Sequence, residues 1–400
     1  MSLNETVSAE RVHIGFFGMR NAGKSSVINA ITGQELAIVS DVKGTTTDPV
    51  YKAMELLPLG PVVLIDTPGL DDEGELGALR VKKSYQVLNK TDIALVVIDA
   101  QSGMSAEDEA LVARIRDKAI PYLIVYNKTD LADGIVLTAN AIGVSAKTGA
   151  GVHELKERIG ALIPQGNSNK KIVGDLLEAG DTVVLVTPID EAAPKGRLIL
   201  PQQQTIRDIL DSGCMAFVTK DTELTQTLDA LKNPPKLVIT DSQAFGRVSK
   251  MVPAGVPLTS FSILFARYKG NLASAVRGAK AVDSIEDGDV ILVSEGCTHH
   301  RQCGDIGTVK LPMWIRKHTG KEPKFEFTSG GEFPDDLSKY KLIVHCGGCT
   351  LNEREMQYRI KCAEDAGVPL TNYGTMIAYC NGILKRSTAV FPDIMRIFEE

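Results

Sequence analysis

Two groups of residues in this chain have the types and spacing that chemistry requires. The first is Gly18-Met-Arg-Asn21-Ala22-Gly23-Lys24-Ser25, a G-x-x-x-x-G-K-S loop. Its glycines permit a tight turn whose backbone N–H groups face a phosphate at a helix N-terminus. Lys24 can then reach the β- and γ-phosphates, and the Ser25 hydroxyl can ligate Mg²⁺. The second group is Cys297-Thr-His299-His300 and, about 50 residues on, His345-Cys346-Gly-Gly-Cys349. Thiols and imidazoles in such sets are metal ligands. Gly347 and Gly348 let the backbone turn tightly between two thiolates bound to one centre.

The phosphate loop needs a strand before it and a helix after it. The apolar run His13–Phe17 reads as that strand, and Ser26–Ile31 as the start of that helix. Val62-Val-Leu-Ile-Asp66-Thr-Pro-Gly69 is a buried-strand run ending in D-x-x-G. Asp66 is placed there to hold Mg²⁺ through water, and the Gly69 N–H to meet the γ-phosphate. Asn127-Lys128-Thr-Asp130 follows another apolar strand, Tyr122–Tyr126. The Asp130 carboxylate can accept two hydrogen bonds from guanine N1 and N2, which adenine cannot offer. Ser145-Ala146-Lys147 supplies a second base-contacting loop. With Ser26 after the loop, these residues form the nucleotide set. The plain alternative is an ATP-binding domain with a chance N-K-T-D.

These elements, in this order, resemble the translation-factor-type GTPases over about residues 10–165. Gly44-Thr-Thr-Thr-Asp48 resembles the G-T-T-R-D switch of the Era and TrmE branch. That resemblance aligns Thr46 with the magnesium-binding threonine and makes Lys24, Thr46, Asp66 and Gly69 the catalytic set. Asn21 matches the asparagine that binds K⁺ in potassium-activated members, where the ion does an arginine finger's electrostatic work. Its alternative role is to shape the loop. Leu70 stands where many GTPases carry a water-orienting Gln, so slow intrinsic hydrolysis and a switch-like role are expected.

A chain of 400 residues allows two to three domains. A hydrophobic share of 44% with 24% charged residues is ordinary for a globular protein. A net charge of −6 excludes broad binding to nucleic acid or anionic membranes. The N-terminal residues lack the pattern of a signal peptide. No apolar run approaches the roughly 18 residues of a membrane span. Seven cysteines, an odd number, point away from disulfides and toward metal or redox use.

The polar stretch Ile163–Lys171 closes the first domain. Beyond it, short strands at Thr182–Val186, Met215–Val218, Lys236–Ile239 and Val256–Thr259 alternate with helical patterns. A long helical stretch is expected over Ser260–Arg277, and no internal repeat is visible. The expected fold class is α/β: a P-loop GTPase domain (1–165), then a middle domain (170–262) and a third domain (263–400), both with mainly parallel sheets.

In the third domain, the strands Asp289–Ser294 and Lys341–Val344 run directly into the two Cys/His elements. Parallel neighbours would share one C-terminal edge, bringing Cys297, Cys346 and Cys349 together. Cys214, Cys362 and Cys380 read as buried packing residues, and Cys303 as a bystander. A Cys₃His or Cys₂His₂ zinc site competes with an iron–sulfur cluster. Structural zinc usually staples domains with little core, and this one has a sheet of its own.

A TrmE-like GTPase domain, a middle domain, then C-x-H, about 45 residues and H-C-x-x-C resembles the HydF family, the maturation GTPases of iron-only hydrogenases. The resemblance implies a scaffold that binds a 4Fe-4S cluster through Cys297, Cys346 and Cys349, with His299 and His345 as provisional further ligands. It implies delivery of a di-iron precursor to apo-hydrogenase, radical-SAM maturases as partners, and a homodimer formed through the middle domain. Two other functions remain open at this point. One is a tRNA- or ribosome-maturation GTPase with a C-terminal zinc site; the other is a chaperone for a different metal.

Overall fold

Apolar runs without alternation, such as Val62–Ile65 and Leu95–Val97, demand a sheet covered on both faces. The computed structural model describes residues 10–34, 48–56, 60–69, 81, 83–132, 137–162, 170–188, 198–296 and 305–399. The chain divides into two compact units, residues 1–168 and 169–400.

In the first unit, six strands lie in the order β2-β3-β1-β4-β5-β6. They are β1 (Val12–Phe17), β2 (Val50–Leu56), β3 (Gly60–Asp66), β4 (Ile93–Asp99), β5 (Tyr122–Asn127) and β6 (Ala141–Gly143). All pairings are parallel except β2 with β3. Helices α1 (Lys24–Thr32), α2 (Ala106–Asp117) and α3 (Val152–Ala161) flank the sheet. One apolar core gathers Ile14, Phe16, Val27 and Leu155; another gathers Phe17, Val63, Val96 and Leu111. Alternate residues of each strand therefore feed opposite cores. The parallel strands end together, so the loops after β1, β3 and β5 share one edge.

The second unit holds two parallel four-stranded sheets of the same order. The first is β10-β9-β7-β8, from β7 (Thr182–Val186), β8 (Met215–Thr219), β9 (Leu237–Thr240) and β10 (Leu258–Ser260). Helices α4 (Leu200–Asp211), α5 (Leu224–Ala230) and α6 (Phe245–Met251) connect them. The second is β12-β11-β13-β14, from β11 (Val290–Ser294), β12 (Lys324–Thr328), β13 (Leu342–His345) and β14 (Leu370–Asn372). Corresponding strands have the same lengths and the same register. The rung Thr219–Val186–Thr240–Ser260 in one sheet matches Thr328–Ser294–His345–Asn372 in the other. The residues entering the last strand are the same in both: Ala254-Gly-Val-Pro-Leu-Thr259 and Ala366-Gly-Val-Pro-Leu-Thr371. Ser260 and Asn372 then cap the helices that follow. The expectation of no repeat is thus corrected: the unit is an internal duplication whose sequence likeness survives mainly in this short segment.

The long helix expected over Ser260–Arg277 is two helices, α7 (Phe261–Lys269) and α8 (Leu272–Lys280). A Cβ at Gly270 would stand 2.9 Å from Ala266 O, and Asn271 starts the second helix by accepting from the Ser274 N–H. A Gly-Asn pair stops one helix and caps the next. Helices α9 (Leu311–Thr319), α10 (Glu353–Asp365) and α11 (Tyr373–Cys380) complete the second copy.

Candidate nucleotide and metal sites

The loop after β1 is built on left-handed backbone: Gly18, Asn21 and Gly23 have φ of 137°, 62° and 90°. A Cβ on Gly18 would lie 2.1 Å from Val97 O, and one on Gly23 2.3 Å from Asn127 Nδ2. Only glycine fits at either place. Gly23 starts α1, so the loop's N–H groups gather at a helix N-terminus. The Lys24 ammonium is buried and donates to Gly18 O at 3.0 Å and Met19 O at 2.9 Å.

The Ser25 hydroxyl donates to Asp66 Oδ2 at 2.6 Å. The other carboxylate oxygen, Asp66 Oδ1, is buried without a hydrogen-bond partner among the described residues. Burial pushes the Asp66 carboxyl above its usual range, against the Ser25 hydrogen bond and the Lys24 charge. A hard oxygen pair with one orphaned, desolvated carboxylate oxygen fits Mg²⁺. Gly69 follows β3 on the same sheet edge. Thr46 and Leu70 lie outside the described residues.

Asn127 links the two ends of the nucleotide site. Its Nδ2 donates to Ala22 O at 3.1 Å, and its Oδ1 accepts the Ala146 N–H at 3.1 Å. Asp130 Oδ1 accepts from the Ser145 hydroxyl at 2.6 Å, joining the two loops expected to meet the guanine base. Lys128 takes a left-handed backbone and pairs with Asp99 at 2.6 Å. A cleft of about 600 Å³ is lined by Gly23, Ser26, Asn127, Asp130, Ala146 and Lys147. Asn29 and Ala30 of α1 also line it, and their residue types carried no signal of that.

In the second unit, β11 and β13 are parallel neighbours with Ser294 beside His345. The strand order reverses between them, the place where α/β sheets open a crevice. Cys346 N–H donates to Ser294 O at 2.8 Å. Cys346 Sγ accepts N–H groups from Gly296 at 3.0 Å and Gly348 at 3.4 Å. The Thr350 hydroxyl donates to Gly296 O at 2.9 Å. Gly348 has φ 62°, and a Cβ there would meet Met356 Sδ at 2.5 Å. The C-x-x-C turn is therefore tied to the exit of β11, one residue short of Cys297. Burial pushes the Cys349 thiol up, against the charge of Lys269. Cys297 and His299 lie outside the described residues, and no three His, Cys, Asp or Glu side chains converge among those described. Backbone N–H groups aimed at a cysteine sulfur nevertheless suit a thiolate bound to a cluster.

His345 is fully buried. Its Nδ1 bonds Cys346 O at 2.7 Å and its Nε2 faces Arg359 Nη1 at 3.0 Å. Burial and the Arg359 charge push its pKa down to about 3. In this arrangement Nδ1 donates to Cys346 O and Nε2 accepts from Arg359. Held this way, His345 ties the first cysteine of the turn to Arg359. Arg359, Lys269, and the buried Glu295 hydrogen-bonded to the Tyr373 hydroxyl were not visible as site residues in the sequence.

Known proteins match the chain in three stretches. A model described as "50S ribosome-binding GTPase" matches residues 13–128. "Hydrogen maturase F dimerization domain" matches 172–270, and "Hydrogen maturase F tetramerization domain" matches 273–390. The tRNA modification GTPase MnmE of Synechococcus sp. (strain JA-2-3B'a(2-13)) is 39% identical over 161 residues, covering 39% of this chain and 34% of that protein. MnmE of Xanthomonas euvesicatoria pv. vesicatoria (strain 85-10) is 39% identical over 153 residues, covering 38% and 34%. The chain thus spans about a third of the length of these curated relatives, in the GTPase stretch alone. A crystal structure of an Aquifex aeolicus Era variant bound to GDP and aluminium fluoride aligns with a TM-score of 0.36 and 18% identity, over 60% of this chain and 97% of that one. Among the described residues, no helix is long and apolar enough to cross a membrane.

Proposed function

This chain belongs to the HydF family of hydrogenase maturation GTPases, and on that premise we propose that it is a GTP-switched scaffold for a 4Fe-4S cluster and a di-iron precursor destined for apo-hydrogenase. In this reading GTP lies in the cleft of the first unit, with Asp130 and Ser145–Lys147 at the base and Lys24 at the β/γ-phosphates. Ser25, Thr46 and Asp66 hold Mg²⁺, which supplies charge neutralisation on the phosphates. Asn21 holds K⁺, and hydrolysis is slow because Leu70 replaces a water-orienting side chain.

Cys297, Cys346 and Cys349 hold the cluster, which supplies an iron site with one exchangeable position. The family resemblance offers His299 and His345 for that position. The observation that carries this reading is the Cys346 sulfur, which receives two backbone N–H groups beside the exit of β11. Partners are radical-SAM maturases and apo-hydrogenase, met in the cytoplasm, with no nucleic acid or membrane involved. The proposed domains are 1–165, 170–262 and 263–400. Dimerisation uses the edge strand β8, where Met215, Phe217 and Val218 are exposed. An apolar edge invites pairing with a second copy, and the dimerization-domain match spans it.

Anaerobic reconstitution tests the proposal. Brown protein with labile sulfide supports it, and a colourless zinc protein overturns it. Cys346→Ser and Cys349→Ser should each lose most of the iron while GTP turnover survives. A full cluster in either variant removes that residue from the ligand set.

A further inference from the structure

Two cations are buried around the cysteine turn, and the nucleotide chemistry uses neither. Arg359 on α10 is 0% exposed. It donates to Glu355 Oε1 at 3.0 Å, His345 Nε2 at 3.0 Å, Ser294 Oγ at 3.3 Å and Gly330 O at 2.9 Å. Lys269, the last residue of α7, is 3% exposed and donates to Cys349 O at 3.3 Å and Leu351 O at 3.1 Å. Its carbonyl accepts from Gln357 Nε2 at 3.2 Å, so the lysine is itself held against α10. Charged groups are rarely buried without a specific task or partner.

The two contacts fall at opposite ends of the turn. Arg359 keeps the His345 ring with Nδ1–H on Cys346 O, so it acts on the first cysteine through one residue. Lys269 acts on the second cysteine's carbonyl directly. One cation comes from each copy of the duplicated fold. Fixed donors behind a ligand set hold its geometry, and fixed positive charge favours the more negative state of the centre.

We propose that Lys269 and Arg359 are positioning residues for the metal centre: Arg359 fixes the geometry of the turn through His345, and Lys269 adds positive charge that raises the centre's reduction potential. The proposal rests on the cluster reading above. A cluster held by three thiolates gains negative charge on reduction, and Lys269 stabilises that charge.

The test uses the full chain, reconstituted anaerobically with iron and sulfide. Its readouts are metal content, the midpoint of an EPR-monitored redox titration, and the rate of iron loss to a chelator. Lys269→Met should shift the reduction equilibrium at least tenfold toward the oxidised form, about 59 mV for one electron, and Lys269→Arg should restore it. Arg359→Lys keeps the charge and loses the fork, so its midpoint should stay near wild type while iron loss quickens several-fold. Lys269→Gln replaces Lys269→Met in the comparison if melting of the metal-free protein shows that Lys269→Met is unfolded. An unchanged midpoint in the neutral Lys269 variant overturns its role, and unchanged iron loss in Arg359→Lys overturns the other. Wild-type protein that takes up no iron and sulfide overturns the cluster reading itself, an outcome separate from either.

Discussion

Replacing Asn127 tests whether one side chain makes the phosphate and base ends of the cleft a single site. Asn127→Ala removes the donor to Ala22 O and the acceptor of the Ala146 N–H, both at 3.1 Å, from a side chain only 2% exposed. Two buried hydrogen bonds at about 0.5–1.5 kcal/mol net each give about 1–3 kcal/mol. At 1.4 kcal/mol per decade, GTP affinity should fall about 5- to 150-fold. Asn127→Asp sharpens the argument. It keeps the acceptor for Ala146 but turns a carboxylate oxygen toward the Ala22 carbonyl, so it should bind more weakly than the alanine variant. The assay is equilibrium titration with a fluorescent GTP analogue in Mg²⁺, alongside thermal melting to confirm the fold. Affinity within twofold of wild type in Asn127→Ala, or an aspartate variant stronger than the alanine one, would refute the linkage.

Asp66→Asn should abolish turnover, and it should also change pH-dependent stability in nucleotide-free, chelator-treated protein. The folded Asp66 pKa is raised, so its ionised form burdens the fold as pH climbs through that pKa. The amide should therefore raise the melting temperature near neutral pH and lose that advantage in acid; equal melting shifts at both pH values would sink the idea. Asp130→Asn should weaken GTP about ten- to a hundredfold and favour a xanthine nucleotide, and unchanged GTP affinity would remove Asp130 from the base pocket. Hydrolysis should rise several-fold when K⁺ replaces Na⁺ at constant ionic strength, with the difference lost in Asn21→Ala; equal wild-type rates in the two salts would leave Asn21 a loop-shaping role only.

The parts of the architecture that were readable in the chain are those in which backbone geometry restricts residue type. A phosphate loop needs glycine at Gly18 and Gly23 because Val97 and Asn127 crowd them, so the loop can be recognised from its letters. Strands buried on both faces write uninterrupted apolar runs, which is why β3, β5, β11 and β13 are legible to within two residues. Arg359 was not legible. It sits in Glu353-Arg-Glu-Met-Gln-Tyr-Arg359, a pattern normally written by a solvated helix face, and only the fold turns that position inward. That His345 faces a guanidinium cannot be read from its cysteine neighbours, because Arg359 lies 14 residues later in the chain. Apolar spacing that continues across Gly270 hides the break there. The repeat is hidden in the sequence because sheet order and register match where most side chains differ.

The matched sheets also speak to ancestry. Thr240-Asp241 in the first copy occupies the rung and the next position that His345-Cys346 occupies in the second. A doubled chain inherits two such crevices before either has a use. Thiols at the strand ends of the second copy then need only point substitutions, because the strand ends are already in place. Descent of this kind needs no new pocket to be invented, and it leaves the first copy, through Lys269, packed against the cysteine turn of the second.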